Sequence, residues 1–529
     1  MIPNETFTDD ERRILAPYFT NLDGPVFALR NLPEVVKGAL FARYSRSAKS
    51  LRRLFLDEFL DRVGVAEAGT AVGVERADKL YERVFDEYGD DSVAQLGGAH
   101  LACEGASNLL TKVLEWGRLM AYLEQSTRYI AYNDRLGGRW KYLVPGEIRG
   151  TALEPRYVAC LDDAFETYAR WIAPMERYFR AQYPRAPGDS EPVYRRTIRA
   201  KALDSLRGLL PAATQSSVGL FGTAQAYEAL LLRMRVHPLL EVREYAGLML
   251  VELRKIIPSF LKRVDRPDRG GRWSRYLHET RAATEAVARR LLVGAAPTTR
   301  PEVMLTDYDP DGELKVVAAA LYAVSDLPDD QLLERAMQMS AEQRRDVLQA
   351  YVGQRDNRRH KPGRAFERTG YRFDVLTDYG AFRDLQRHRL LSLEWQALTP
   401  RHGYAVADTI REAGAAADWA RVMEESAALY QALSAAGYAQ VAPYAVSMAY
   451  RVRFYVDMNA REAMHVIELR TSPAGHPSYR RVCQAMHTLI AERAGHRAIA
   501  AAMTFADHSA VELERLAAER AIERRRQER

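Results

Sequence analysis

The chain has little that could staple it, carry it through a membrane or address it outside the cell. Its three cysteines in 529 residues, Cys103, Cys160 and Cys483, stand far apart and form no Cys-x-x-Cys pair. Neither a disulfide framework nor a thiolate zinc site is supported, and a reducing cytoplasm is the expected home. No stretch approaches 18 apolar residues, which excludes a membrane-spanning helix. The opening Met1-Ile-Pro-Asn-Glu-Thr-Phe-Thr-Asp-Asp10 has neither the basic start nor the apolar core of a signal peptide. Charge of one sign is scarce too, since 76 basic residues against 70 acidic ones leave only +6. That mild excess fits an acidic small ligand or a modest affinity for nucleic acid and decides neither. No His or carboxylate spacing suggests a metal site.

What is present describes a globular protein, 47% hydrophobic and 28% charged, and too long for one ordinary core. Most of the first 290 residues carry apolar residues at helical spacing, as in Leu51 to Leu60, Ala106 to Trp116, Val218 to Arg235 and Leu240 to Val264. The Gly, Ala, Pro and Thr around 293–301 read as a linker. Beyond it Val303 to Tyr308 and Tyr371 to Val375 read as strands, and Tyr379, Phe382 and Leu385 form a helix stripe. From Val511 a charged helix runs onward, taken as a solvated face.

The second half repeats the first. Arg207, Leu210 and Pro211 precede a helix that ends at Arg235; Gln440 and Pro443 precede one that ends at Arg470. Each half also has, upstream, a helix leading into an arginine-bearing segment, Glu115 to Tyr129 and then Arg387 onward. The expected domains are 1–292, a linker at 293–301, 302–510, and a tail at 511–529. Glu124, Ser126 and Arg128 alternate, so they share one face if the segment is extended. A hydroxyl beside a guanidinium suits a phosphate. Three basic residues in a row, Arg387-His388-Arg389, ask for an anionic ligand or for water.

Arg387-His388-Arg389, with Ser392 three residues on, resembles the start of the signature of the flavin-dependent thymidylate synthases: Arg-His-Arg, two residues, Ser, one residue, Asn-Glu, one residue, Ser, one residue, Arg-Tyr. The end of the signature is lost there, because Glu394-Trp395, Ala397 and Thr399-Pro400 replace the family residues. The first half keeps that end as Glu124, Ser126, Arg128 and Tyr129, while Trp116-Gly117-Arg118 occupy the Arg-His-Arg positions. The division continues downstream. Arg207 with Leu210-Pro211 matches the family's nucleotide-binding Arg-x-x-Leu-Pro, where the second half has Gln440. Asn459, Arg461 and His465 match its flavin-facing helix, where the first half has Ala224, Ala226 and Leu230. Arg235 and Arg470 match its pyrimidine-contacting arginine. The region before the signature is matched only loosely, by Asp91-Ser92-Val93 and by His360 to Arg368.

The resemblance implies an α+β fold in two copies, each a small, mainly antiparallel sheet packed with many helices. It implies FAD as cofactor, methylenetetrahydrofolate and NADPH as co-substrates, and dUMP as the nucleotide converted to dTMP. By the same resemblance Arg387 and Arg235 stabilise charge at the pyrimidine. Glu124, Ser126, Arg128, Arg207 and Arg235 bind the substrate, and Arg387, His388, Arg389, Asn459, Arg461 and His465 bind the flavin. Family sites are shared within a homotetramer, so a homodimer imitating it, with mixed sites, is expected. The alternative is a flavin- or nucleotide-binding paralogue, non-catalytic or altered in specificity. Nucleic acid is not the expected partner, because it would require more basic and aromatic clustering than the sequence has.

Overall fold

The computed structural model describes residues 6–24, 27–44, 49–59 and 95–527; Leu60 and the Asp91-Ser92-Val93 match lie outside these. Two compact units interleave along the chain. One draws its described residues from 1–104, 113–124 and 217–295, the other from 105–112, 125–216 and 296–529. Residues 105–112 and 125–216, expected in the first domain, thus belong to the second unit.

A three-stranded sheet, with β2 and most of β1 and β3 in the first unit, has β3 (Gln215–Thr223) between β1 (Gly98–Ser107) and β2 (Met120–Glu124). β2 and β3 are antiparallel, with Met120 opposite Gly222 and Glu124 opposite Val218. The helix expected from Val218 is thus overturned as far as Thr223. Burial alternates along β3, but Ser216 and Gly222 fill two of its inward positions, so the period of two is not visible in hydropathy. The helix itself, Ala224–Met234, starts where the Thr223 hydroxyl accepts from Ala226 N. Its inner face is apolar through Tyr227, Leu230 and Leu231.

The second unit is built on a four-stranded antiparallel sheet in the order β4-β5-β7-β6, with β4 Val303–Tyr308, β5 Gly370–Asp378, β6 Ser392–Trp395 and β7 Arg451–Asn459. Along β7 the side chains of Val452, Phe454, Val456 and Met458 turn inward, the alternation of a half-buried strand. Around the sheet pack helices α1 (Glu154–Gln182), α2 (Glu191–Leu206), α3 (Tyr379–Gln386), α4 (Ala416–Ala435), α5 (Ala460–Arg470) and α6 (Pro477–Glu492). β5 runs directly into α3 and β7 into α5, the caps being Asp378 and Asn459. β5 and β7 pair along their whole length, from Gly370 opposite Asn459 to Asp378 opposite Arg451. The two helices therefore begin at opposite ends of the sheet, and hydrogen bonds described below join their last turns. The tail forms α7 (Leu516–Gln527), but Glu514 and Arg515 at its head are buried, so that end is not the solvated face expected of it. No helix among the described residues is long and apolar enough to cross a membrane.

Candidate functional site

Arginines from both halves of the sequence meet in the second unit. Arg207, just past the end of α2, reaches the Asp384 carboxylate of α3 at 3.4 Å. Arg387, at the end of α3, bonds the same carboxylate. Arg470, the last residue of α5, lies 3.9 Å from it and also donates to the Asp384 carbonyl. Two helix C-termini meet here, and their negative carbonyl ends favour cations. Beside this hub Arg128 grips Asp204 of α2 through Nε and Nη2 at 2.7–3.0 Å and donates to the Tyr479 hydroxyl at 2.9 Å. Burial opposes charge on Asp384, but Arg387, Arg207, Arg470 and Arg128 outweigh it and hold the carboxyl far below its ordinary range. Asp204 is held low in the same way, its burial being overcome by Arg128. Arg207 is only 3% exposed, and its Nη2 has no hydrogen-bond partner among the described residues.

A second cluster adjoins the first. Arg470 Nε donates to His388 Nε2 at 2.9 Å, so that nitrogen carries the lone pair and the ring proton sits on Nδ1. Nδ1 faces Glu462 at 3.7 Å, and the ring meets His465 edge to face at 5.5 Å. Burial lowers the pKa of both imidazoles, with Arg470 adding to it at His388 and Lys361 at His465, which falls to about 4. Burial lifts the Glu462 carboxyl to about 7, against the pull of Lys361, Arg461 and Arg389. His388, Glu462 and His465 are close enough to share a metal ion. Their surroundings oppose a cation, since Lys361, Arg358, Arg470 and Arg389 all press on His465 and the Arg470 donor commits the tautomer of His388. The same surroundings favour an anionic group.

Of the residues singled out in the sequence, Ser126, Arg128, Arg207, Arg387, His388, Arg389, Asn459, Arg461 and His465 fall in the second unit, and Glu124 and Arg235 in the first. The alternation of Glu124, Ser126 and Arg128 on one extended face is not realised. β2 stops at Glu124, and the Ser126 hydroxyl accepts from Arg128 N in a turn. Asn459 uses its Oδ1 on Glu462 N as the cap of α5. Arg461 donates Nε to the Pro362 carbonyl. Capping also shifts the internal register by one, since Thr223 is the structural counterpart of Asn459 and Gln225 that of Arg461. Asp204, Asp384 and Glu462 escape the sequence patterns. Each stands three residues before a residue singled out there, Arg207, Arg387 and His465, a spacing that puts both on one helix face.

Among known proteins, the family model described as thymidylate synthase complementing protein matches residues 39–259 and 304–494. A UPF0159 protein of Chlamydia muridarum is 38% identical over 517 residues, 96% of this chain and 97% of its own. A flavin-dependent thymidylate synthase of Clostridium tetani is 23% identical over 202 residues, 38% of this chain and 75% of its own. A solved structure of a UMP/dUMP methylase, PolB from Streptomyces cacaoi, bound with 5-Br dUMP, is 22% identical with a TM-score of 0.30, and the match covers 38% of this chain and 94% of that one.

Proposed function

The chain belongs to the thymidylate synthase complementing proteins, the flavin-dependent thymidylate synthases, whose pattern it carries in two segments, and from that premise we propose that it methylates dUMP at C5 of the pyrimidine. One observation carries the proposal. Arg128 and Arg207 from the first half gather in one unit with Arg387 and Arg470 from the second, around Asp204 and Asp384. These four guanidinium charges outnumber the two carboxylates, an excess of positive charge that suits a phosphomonoester of charge about −2. The buried Nη2 of Arg207 lacks an acceptor among the described residues, which a phosphate oxygen would provide.

In this proposal Arg128, Arg207 and Ser126 hold the phosphate, while Arg387 and Arg470 stabilise negative charge on the pyrimidine as C5 is attacked. For Glu124 and Arg235, in the first unit, a part in substrate binding, and for Arg235 a part in stabilising that charge, rests on the resemblance alone. The residues around His388 fit FAD, because Lys361, Arg358, Arg389 and Arg461 supply the positive charge its diphosphate needs beside the rings of His388 and His465. FAD, when bound, supplies redox chemistry between NADPH and the one-carbon unit of methylenetetrahydrofolate. Glu462, with a pKa of about 7, can hold or release a proton next to His388 near neutral pH. A homodimer that imitates the family's tetramer is the proposed assembly.

Arg128→Ala is expected to abolish dUMP binding and spare FAD, and His388→Ala to do the reverse. Equal effects of either change on both ligands would refute the assignment. Turnover is read from release of the C5 hydrogen of labelled dUMP in the presence of FAD, NADPH and methylenetetrahydrofolate. A second reading, binding without turnover, draws on Asp204 and Asp384, which already engage the arginines a substrate would use. It predicts that both ligands bind and that no C5 hydrogen is released.

A further inference from the structure

Arg515 lies in the tail, beyond the family-matched segment that ends at 494. It is 7% exposed, yet among the described residues no carboxylate pairs with it and its Nε has no hydrogen-bond partner. Its guanidinium lies over the ring of Tyr129, 3.4 Å from the centroid. Tyr129 directly follows Arg128, and Arg515 is near enough to Arg128 for the two charges to repel. Burial and that repulsion weigh against its charge, and Tyr129 and Asp204 offset them only in part. A buried guanidinium without an anion of its own is costly, and a second cation beside it adds to the cost. An anion shared by the two would relieve both.

The tail is tethered where such an anion would sit. Lys201 of α2 holds Glu514, the residue before Arg515, at 2.8 Å, one turn from Asp204. Farther along, Arg196 pairs with Glu519 at 2.7 Å, and Arg520 bonds Asp189 at 2.8 Å. α2 thus carries Asp204, leads into Arg207, and fixes the segment that delivers Arg515.

We infer that Arg515 is a further phosphate ligand of the arginine site, supplied by the tail and shared with Arg128. The inference rests on the nucleotide reading above and adds to it a specificity element for the phosphomonoester over the nucleoside. The same side chain would bind inorganic phosphate.

The test is calorimetric titration of the full-length protein and its Arg515→Gln and Arg515→Lys variants with dUMP, deoxyuridine and inorganic phosphate. Arg515→Gln is expected to weaken dUMP and phosphate by about 10- to 100-fold, the loss of a charge-assisted hydrogen bond, and to leave deoxyuridine unchanged. Arg515→Lys should recover part of the loss, and melting temperatures report whether the variants fold. Unchanged binding of dUMP and phosphate by Arg515→Gln would overturn the inference, as would an equal loss of deoxyuridine, which marks a merely structural role. If the parent protein binds phosphate but not dUMP, and Arg515→Gln loses the phosphate, the tail site stands and the nucleotide reading falls. Failure of the parent protein to bind any of the three overturns both.

Discussion

β3 and β7 are each nine residues long, each runs without a break into an eleven-residue helix, and each helix is capped by the last residue of its strand, Thr223 or Asn459. Upstream, Ser107 accepts from Leu110 N and Asp378 from Ala381 N at two further strand-to-helix junctions, one in each half. The backbone of the repeat is thus preserved by alternation and caps, which many residues can supply. The chemistry is not preserved. In cap register Arg461, Glu462 and His465 correspond to Gln225, Ala226 and Ala229, while Asp384 and Arg387 correspond to Val113 and Trp116. A duplicated fold can therefore lose a site from one copy at little cost to its architecture, and the surviving pieces gather where the second unit takes residues 125–216 from the first half.

Asp384 gives the sharpest way to break this comparison. Asp384→Leu leaves Arg207, Arg387 and Arg470 without their shared anion, and should cost about 3–5 kcal/mol in urea unfolding. Val113→Ala, at the matching half-buried position of the first half, should cost about 1 kcal/mol. If the two variants were equally mild, Asp384 would not be the hub described here. Glu462 comes next. Its folded pKa of about 7 lies above the ordinary 4.5, so the stability linked to its neutral form is complete below pH 4.5 and is lost as pH rises through 7. The loss is at most about 3 kcal/mol. Glu462→Gln should match the parent protein at pH 4.5 and exceed its stability at about pH 8. Equal stability at the higher pH would show that the carboxyl is not so perturbed.

Much of the second unit is legible in the sequence. The stripe of Tyr379, Phe382 and Leu385 is α3, Val303–Tyr308 is β4, and Tyr371 to Val375 lies inside β5, all through strong hydrophobic periods. β3 is hidden because small residues occupy inward positions, and the turn at Ser126 because a side-chain hydroxyl, not hydropathy, makes it. The motif arginines stand out by type and order. Asp204, Asp384 and Arg515 do not, because their meaning lies in partners 76, 177 and 386 positions away, Arg128, Arg207 and Tyr129 respectively. Such pairings follow from topology, which no local pattern encodes.

The smallest effect concerns the caps themselves and separates scaffold from site. Thr223→Ala and Asn459→Ala should each cost about 1 kcal/mol, since both side chains accept one backbone N–H at the start of a helix. Asn459→Ser should restore that stability, because a hydroxyl caps as well as an amide oxygen. Asn459 differs from Thr223 in keeping an Nδ2 that donates to no group among the described residues. If that amide reaches the flavin, Asn459→Ser keeps the melting temperature yet weakens FAD binding about five- to tenfold, the worth of one neutral hydrogen bond. Undiminished FAD affinity in Asn459→Ser would reduce Asn459 to the same purely structural role as Thr223, and would move the boundary between fold and flavin site further along the helix, to Arg461 and His465.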